Sequence, residues 1–250
     1  MANNTMRIKS GNSFKHMPCL AVLFCVATIV PSQKVHAFEL GSVGQGLAEL
    51  LYMQQDWAAK NTHLSNADIS KTALGAQNFI QNMADRGISF LANDELSQDE
   101  KKKEFSQLLS SSFDMKTIAR FSLGRYWRVA TDAEKKEYLD LFRKKVIDVY
   151  AQRFGDYDGQ KLEVRSVRSD NEKDTLVFTI IQSPQGADVS VDWRVRYKNG
   201  KYQIVDVIVE GVSMSVTQRS DFASVIQRNG GAVESLLEHL RETNESIQGI

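Results

Sequence analysis

Cysteine is almost missing from this 250-residue chain, and the two that exist, Cys19 and Cys25, both lie close to its start. Histidine is scarce as well, with four residues at His16, His36, His63 and His239. Neither sign of charge dominates, since 31 basic residues face 31 acidic ones. The spacings that mark common catalytic sites are absent too. There is no G-x-S-x-G elbow, no H-E-x-x-H helix, no G-x-x-x-x-G-K-[ST] loop and no G-x-G-x-x-G turn. Gly41-Ser42-Val43-Gly44-Gln45-Gly46 is glycine-containing but follows no strand. Asp156-Tyr157-Asp158-Gly159 lacks the downstream bidentate glutamate of a calcium loop and reads as a plain turn. Carboxylates are plentiful, so a hydrolase is not excluded by composition, but no arrangement of them marks one.

What the chain does have begins with an export signal. Arg7, Lys9 and Lys15 form a positive start with no acidic residue before Glu39. An apolar run of 14 residues follows, Met17 to Val30, interrupted by Pro18. A membrane-spanning helix needs ~20 such residues, so the run is too short to be an anchor. Val35-His36-Ala37 then supplies a small-x-small site, which places cleavage before Phe38. A lipoprotein signal would need small residues just ahead of its cysteine, and Leu23-Phe24 and Met17-Pro18 do not provide them. Cleavage removes both cysteines, His16 and His36. The mature chain can then form neither a disulfide nor a thiolate metal site. Its 27 remaining basic residues against 31 acidic ones give a net charge near −4, which argues against nucleic acid as a partner. His63 and His239 are isolated and make neither a metal site nor a triad.

Beyond residue 37 the chain divides into an extension, 38–66, and a main domain, 67–250. In the extension Leu47, Leu50, Leu51 and Trp57 suggest a short amphipathic helix after the glycines. A second helix is expected over 68–90, with Gly75 weakening it. Ser97-x-x-Glu100 and Thr131-x-x-Glu134 are capping boxes, each ahead of an apolar helical stripe. Asp114 can cap a helix between them that stops at Gly124. After Gly155 the period changes to two, and strands are expected over 161–167, 175–183, 188–198 and 201–209. Asn199-Gly200 predicts a type I′ hairpin. Two helices separated by Gly230-Gly231 follow. Helices, an antiparallel meander and helices again make an α+β protein.

The two-residue turn predicts the pairs Lys198–Lys201, Tyr197–Tyr202, Val195–Ile204, Trp193–Asp206 and Val191–Ile208. Carried across the longer loop 183–188, the same register places Leu176, Phe178 and Ile180 beside Val195, Trp193 and Val191. One face then holds Leu176, Phe178, Ile180, Val191, Trp193, Val195, Ile204 and Ile208. The other holds Asp192, Arg194 and Arg196 with Val205, Val207 and Val209. Alternation of this kind is shared by a filled core and by a cavity wall. Asp206 beside Trp193 would need hydrogen bonds or a counter-charge, because burying it bare costs several kcal/mol. A structural partner such as Arg219, Arg128 or the backbone near Gly211 is preferred over a role as a ligand handle.

From Phe113 onward the chain resembles the MlaC family of lipid-transport auxiliary proteins, also called toluene-tolerance proteins. The resemblance rests on Phe113-Asp114, Ile118-Ala119, Leu123-Gly124, Trp127-Arg128, Thr131, Phe142 and Tyr150. It is strongest at Asp206-x-x-x-Glu210-Gly211-Val212-Ser213-Met214, followed by Arg219-Ser220-x-Phe222 and Gly230. It spans about residues 67–240, and the segment 38–66 matches nothing in the family.

The resemblance implies a curved four-stranded antiparallel sheet wrapped by helices, with an apolar pocket between sheet and helices. It implies a periplasmic, non-enzymatic carrier of phospholipid that needs no cofactor. Its partners would be an inner-membrane ABC transporter complex and an outer-membrane lipoprotein complex, serving outer-membrane lipid asymmetry. A hopanoid-type lipid is an alternative cargo, and an adaptor without lipid is an alternative role. Two acyl chains hold roughly 30 methylenes at ~0.8 kcal/mol each, so unassisted passage through water is prohibitive. The expected lipid-lining residues are Leu176, Phe178, Ile180, Val191, Trp193, Val195, Ile204 and Ile208 on the strands. Phe121, Phe142, Val146 and Met214 are the expected helical ones.

Overall fold

The computed structural model describes residues 66–171 and 173–248. The basic start, the apolar run, the cleavage position and the lead-in segment through residue 65 lie outside the described residues. Helix α1 (Asn66–Leu91) buries Ala76, Ile80, Met83, Ala84, Phe90 and Leu91, the three- and four-residue spacing of one helical face. Gly75 sits in this helix because Tyr202 packs over it, where a Cβ would overlap the phenol. Helix α2 (Gln98–Ser112) opens on the Ser97/Glu100 capping box and turns Phe105, Leu108 and Leu109 inward. Its Lys101 is buried and donates to the carbonyl of Leu91 at 3.0 Å, satisfying an end group of α1.

Asp114 caps helix α3 (Met115–Leu123), accepting from the Thr117 N–H at 3.0 Å and its hydroxyl at 2.6 Å. The helix ends at Gly124, whose φ of +59° favours glycine, and a 3₁₀ turn Gly124–Arg128 follows. Helix α4 (Asp132–Ala151) starts at the Thr131/Glu134 capping box and buries Tyr138, Phe142 and Tyr150. Its Asp148 is buried between Lys102 and Lys144, both at 2.5 Å.

The sheet follows as β1 (Lys161–Ser169), β2 (Asp174–Gln182), β3 (Val189–Lys198), β4 (Lys201–Val209) and β5 (Val212–Ser213). All neighbours are antiparallel in the order β1-β2-β3-β4-β5. The sheet therefore has five strands, not the four expected. Glu210 and Gly211, with φ of 49° and 78°, make a second two-residue turn, and Val212 and Ser213 pair back onto Val209 and Ile208. A two-residue strand is too short to show alternation, so its only sign in sequence was the turn. At the other end of β4, Phe113 lies beside Ile204, and the Asp114 N–H donates to the Ile204 carbonyl at 3.0 Å.

The strand register differs from the expected one in two places. The Asn199-Gly200 turn does set Lys198↔Lys201, Tyr197↔Tyr202 and Val195↔Ile204. A bulge then leaves Val205 unmatched, so Arg194 meets Asp206, Trp193 meets Val207 and Val191 meets Val209. Asp206 and Ile208 thereby move to the face opposite Trp193. Between β2 and β3 the pairs are Thr175↔Val195, Val177↔Trp193 and Thr179↔Val191. This is one residue away from expectation, and one residue turns Leu176, Phe178 and Ile180 to the other face.

The face toward the helices holds Val177, Ile181, Val191, Trp193, Val195, Ile204, Val207 and Val209, packed with α1 and α2. Thr179 is buried among them and accepts from the Trp193 indole N–H at 3.1 Å. The opposite face carries Arg196, bidentate to Asp174 at 2.6 and 2.8 Å, and Arg168 over the Phe178 ring at 5.5 Å. A second core lies among α3, α4, α5 (Met214–Arg228) and α6 (Val233–Gln248). It is built from Leu123, Tyr138, Phe142, Phe222, Ile226, Leu236, Leu237 and Leu240. The Tyr138 hydroxyl donates to the Ala119 carbonyl at 2.9 Å, tying α4 to α3.

Candidate functional site

A cavity lies where the two cores meet. Leu109, Phe113, Tyr150 and Val207 from the sheet core line one part, and Phe142 from the helical core lines another. Met115, Ile118 and Val146 pack against both cores and line it as well. Helix α4 supplies Phe142, Val146, Val149 and Tyr150 along one stripe, and α5 supplies Met214 at its first position. The space amounts to about 80 Å³. Pockets that hold small-molecule ligands are of the ~300–1,000 Å³ class. A ligand of that class therefore enters only if the seam widens. The unbranched, adaptable side chains of Met115 and Met214 suit a wall that repacks.

Polar groups gather along α5 and the facing side of α4. Asp206 has its carboxylate occupied by structure: it accepts from Ser213 Oγ at 2.6 Å, Ser215 N–H at 3.1 Å and Val207 N–H at 2.9 Å. These bonds join β4 to the start of α5, where Ser213 itself caps the helix. Lys145 and Asp221 also line the cavity, with Gln218 and Thr217 beside them. The Lys145 ammonium sits 5.3 Å from the Phe222 ring centroid. Burial pushes the Lys145 pKa down, partly opposed by the Asp221 charge, and burial pushes the Asp221 pKa up, opposed by Lys145. The two feel each other but make no ion pair within 4 Å among the described residues.

The structure brings Phe142, Val146 and Met214 together on the cavity wall. Phe121 lies apart, 42% exposed, with Arg219 over its ring at 5.5 Å. Val191, Trp193, Val195 and Ile204 are buried in the sheet core, away from the cavity lining. Leu176, Phe178, Ile180 and Ile208 share the sheet face turned away from that core. The lining residues not anticipated include Leu109, Met115, Ile118, Lys145, Val149 and Asp221. The α4 stripe running from Phe142 through Val146 to Val149 could have revealed Val149. Lys145 and Asp221 carried no signal, since a charge on an amphipathic helix usually reads as a solvated face.

Among the described residues no group of three or more His, Cys, Asp or Glu could hold a metal ion. No described helix is long and apolar enough to cross a membrane. The sequence matches the family model described as MlaC protein over residues 81–242, well over half its length. The chain belongs to the MlaC family.

Two curated relatives sharpen the comparison with MlaC proteins. The toluene tolerance protein ttg2D of Pseudomonas putida is 24% identical over 114 residues, covering 46% of this chain and 53% of that protein. The intermembrane phospholipid transport system binding protein MlaC of Haemophilus influenzae is 22% identical over 125 residues, 48% of this chain and 58% of the relative. The alignments thus span a little over half the length of each. Among solved structures, the phospholipid-binding protein from Ralstonia solanacearum, in complex with a phospholipid, has a TM-score of 0.61 at 23% identity. That similarity covers 69% of this chain and 98% of the Ralstonia chain, and it establishes a shared fold.

Proposed function

We propose that this MlaC-family protein is an exported, periplasmic carrier that holds phospholipid tails in the seam between its two cores. The observation that carries the reading is the cavity itself: an apolar wall built from both cores, with polar groups on α4 and α5 beside it. Such a site offers shape and apolar surface and asks nothing of a catalytic group. Once a lipid has left the bilayer, exposing its roughly 30 methylenes to water would cost ~0.8 kcal/mol each, far more than parting a few side-chain contacts. Tails in transit are therefore better held in a widened seam than left in water. In this reading residues 67–250 are the carrier domain, and residues 38–66 are an extension that precedes it.

The same reading places cleavage before Phe38 and assigns the protein an outer-membrane lipoprotein complex and an inner-membrane ABC transporter complex as partners. The family supports the partner reading, and the basic and apolar start of the sequence supports the cleavage reading. Organic extraction of the purified protein followed by mass spectrometry tests the function. Stoichiometric glycerophospholipid is the expected result, and a polycyclic triterpenoid instead would reassign the cargo. A protein free of lipid after purification, and unable to extract any from vesicles, would leave only an adaptor. N-terminal sequencing of the exported form tests the cleavage position, and retention of residues 17–30 would overturn the periplasmic assignment.

A further inference from the structure

The apolar wall explains how lipid tails could be held, but not why a lysine lines the same cavity. Lys145 occupies the turn of α4 between Phe142 and Val149, and its ammonium rests over the Phe222 ring. It has neither a hydrogen bond nor an ion pair among the described residues. Asp221, whose charge acts on it, also lines the cavity and makes no ion pair with it among the described residues. The third charged group there, Asp206, has its carboxylate taken up by the Ser213 hydroxyl and backbone N–H groups. Lys145 and Asp221 are each half-buried, so each faces the cavity while keeping some contact with water. A cation in that position is under-compensated, because burial withdraws water without providing a contact anion.

We infer that Lys145 reads the lipid headgroup, its ammonium taking the phosphodiester of a molecule whose tails lie against Phe142, Val146 and Met214. This rests on the carrier reading above and adds to it a requirement on the cargo: an anionic group at the glycerol end. A phosphodiester keeps its negative charge throughout the physiological range and offers several acceptors to a three-donor ammonium. Asp221 is the opposite charge that Lys145 already feels, and it competes weakly with a bound phosphate. A neutral lipid with identical tails would bury the same methylenes but leave Lys145 uncompensated.

The test is a competition using the full chain, stripped of lipid. The protein is incubated with phosphatidylcholine vesicles containing equal fractions of dioleoylphosphatidylglycerol and dioleoylglycerol. It is then repurified, and the ratio of the two dioleoyl lipids bound is measured by mass spectrometry. The unaltered protein is expected to favour phosphatidylglycerol, and Lys145→Met to lower the ratio roughly tenfold while still holding lipid. Lys145→Arg, which keeps the charge, is expected to keep the ratio. Asp221→Asn, nearly isosteric and removing the competing anion, is expected to raise it, which gives a reading independent of how well Lys145→Met folds. An unchanged ratio in Lys145→Met, or a fall in Asp221→Asn, overturns the inference while leaving the carrier intact. If the unaltered protein binds no lipid of any kind, the carrier reading and the inference fall together.

Discussion

Two aspartates show how single residues acquire their roles from what surrounds them. Asp148 is buried in α4, and burial alone would raise its pKa. The hydrogen bonds and charges of Lys102 and Lys144 outweigh that and hold it below the ordinary carboxylate value. A lowered folded-state pKa means that Asp148 stabilises the fold above the unfolded value of ~3.9, and that this contribution fades as pH falls through the folded value. Urea midpoints measured from pH 7 down to pH 3 are expected to drop at the acid end, and Asp148→Asn to flatten that drop. The sequence marks Asp206 as a residue that needs partners and offers Arg219, Arg128 or the backbone near Gly211 for the role. Its actual partners, Ser213 and Ser215, depend on a bulge that sequence alone did not disclose. Asp206→Ala strands the Ser215 N–H and uncouples β4 from α5, so a loss of ~1–3 kcal/mol in denaturant unfolding is expected.

At the level of elements, local signals are legible and those that depend on distant packing are not. The two capping boxes and the Asp114 cap are each a few residues long and local, and each appears where the sequence places it. The Asn199-Gly200 hairpin was legible for the same reason, but only as far as Val205. Beyond that residue, and across the 183–188 loop, the side-chain parity of a strand is set by tertiary packing. A shift of one position there exchanged Leu176, Phe178 and Ile180 for Thr175, Val177 and Thr179 on the inner face. Gly75 is a case where the local rule points the wrong way. Helix propensity favours alanine there by ~1 kcal/mol, yet a Cβ would collide with Tyr202, whose ring stacks with Phe79 at 6.0 Å. Gly75→Ala is expected to lower the melting temperature despite its better propensity. A rise would mean that Tyr202 moves aside freely.

For the whole molecule, the α+β class was readable because helical and alternating stretches are long. The division of the helices between two cores was not, because an apolar stripe looks the same whichever neighbour it meets. This is why Val195 was expected on the cavity wall and is instead 1% exposed within the sheet core. Val195→Asp puts an unpaired carboxylate into that core and is expected to cost several kcal/mol, visible as lost circular dichroism signal. Met214→Trp, by contrast, adds bulk on the cavity wall at the first position of α5. It is expected to keep the fold and reduce the lipid recovered by mass spectrometry. Folded Val195→Asp protein would show that the sheet core is softer than its packing indicates.

The short β5 strand and the Phe113–Ile204 bridge together leave very little of β4 open along its outer side. At the far side of the sheet, β1 is interrupted between Val164 and Ser166, and its exposed Lys161, Arg165 and Arg168 add positive charge along it. Unpaired strand borders are where chains zip onto one another into aggregates, and irregular pairing and charge are the usual deterrents. With one border largely capped and the other charged and kinked, the described part of this sheet carries at both sides the features that discourage a visiting strand.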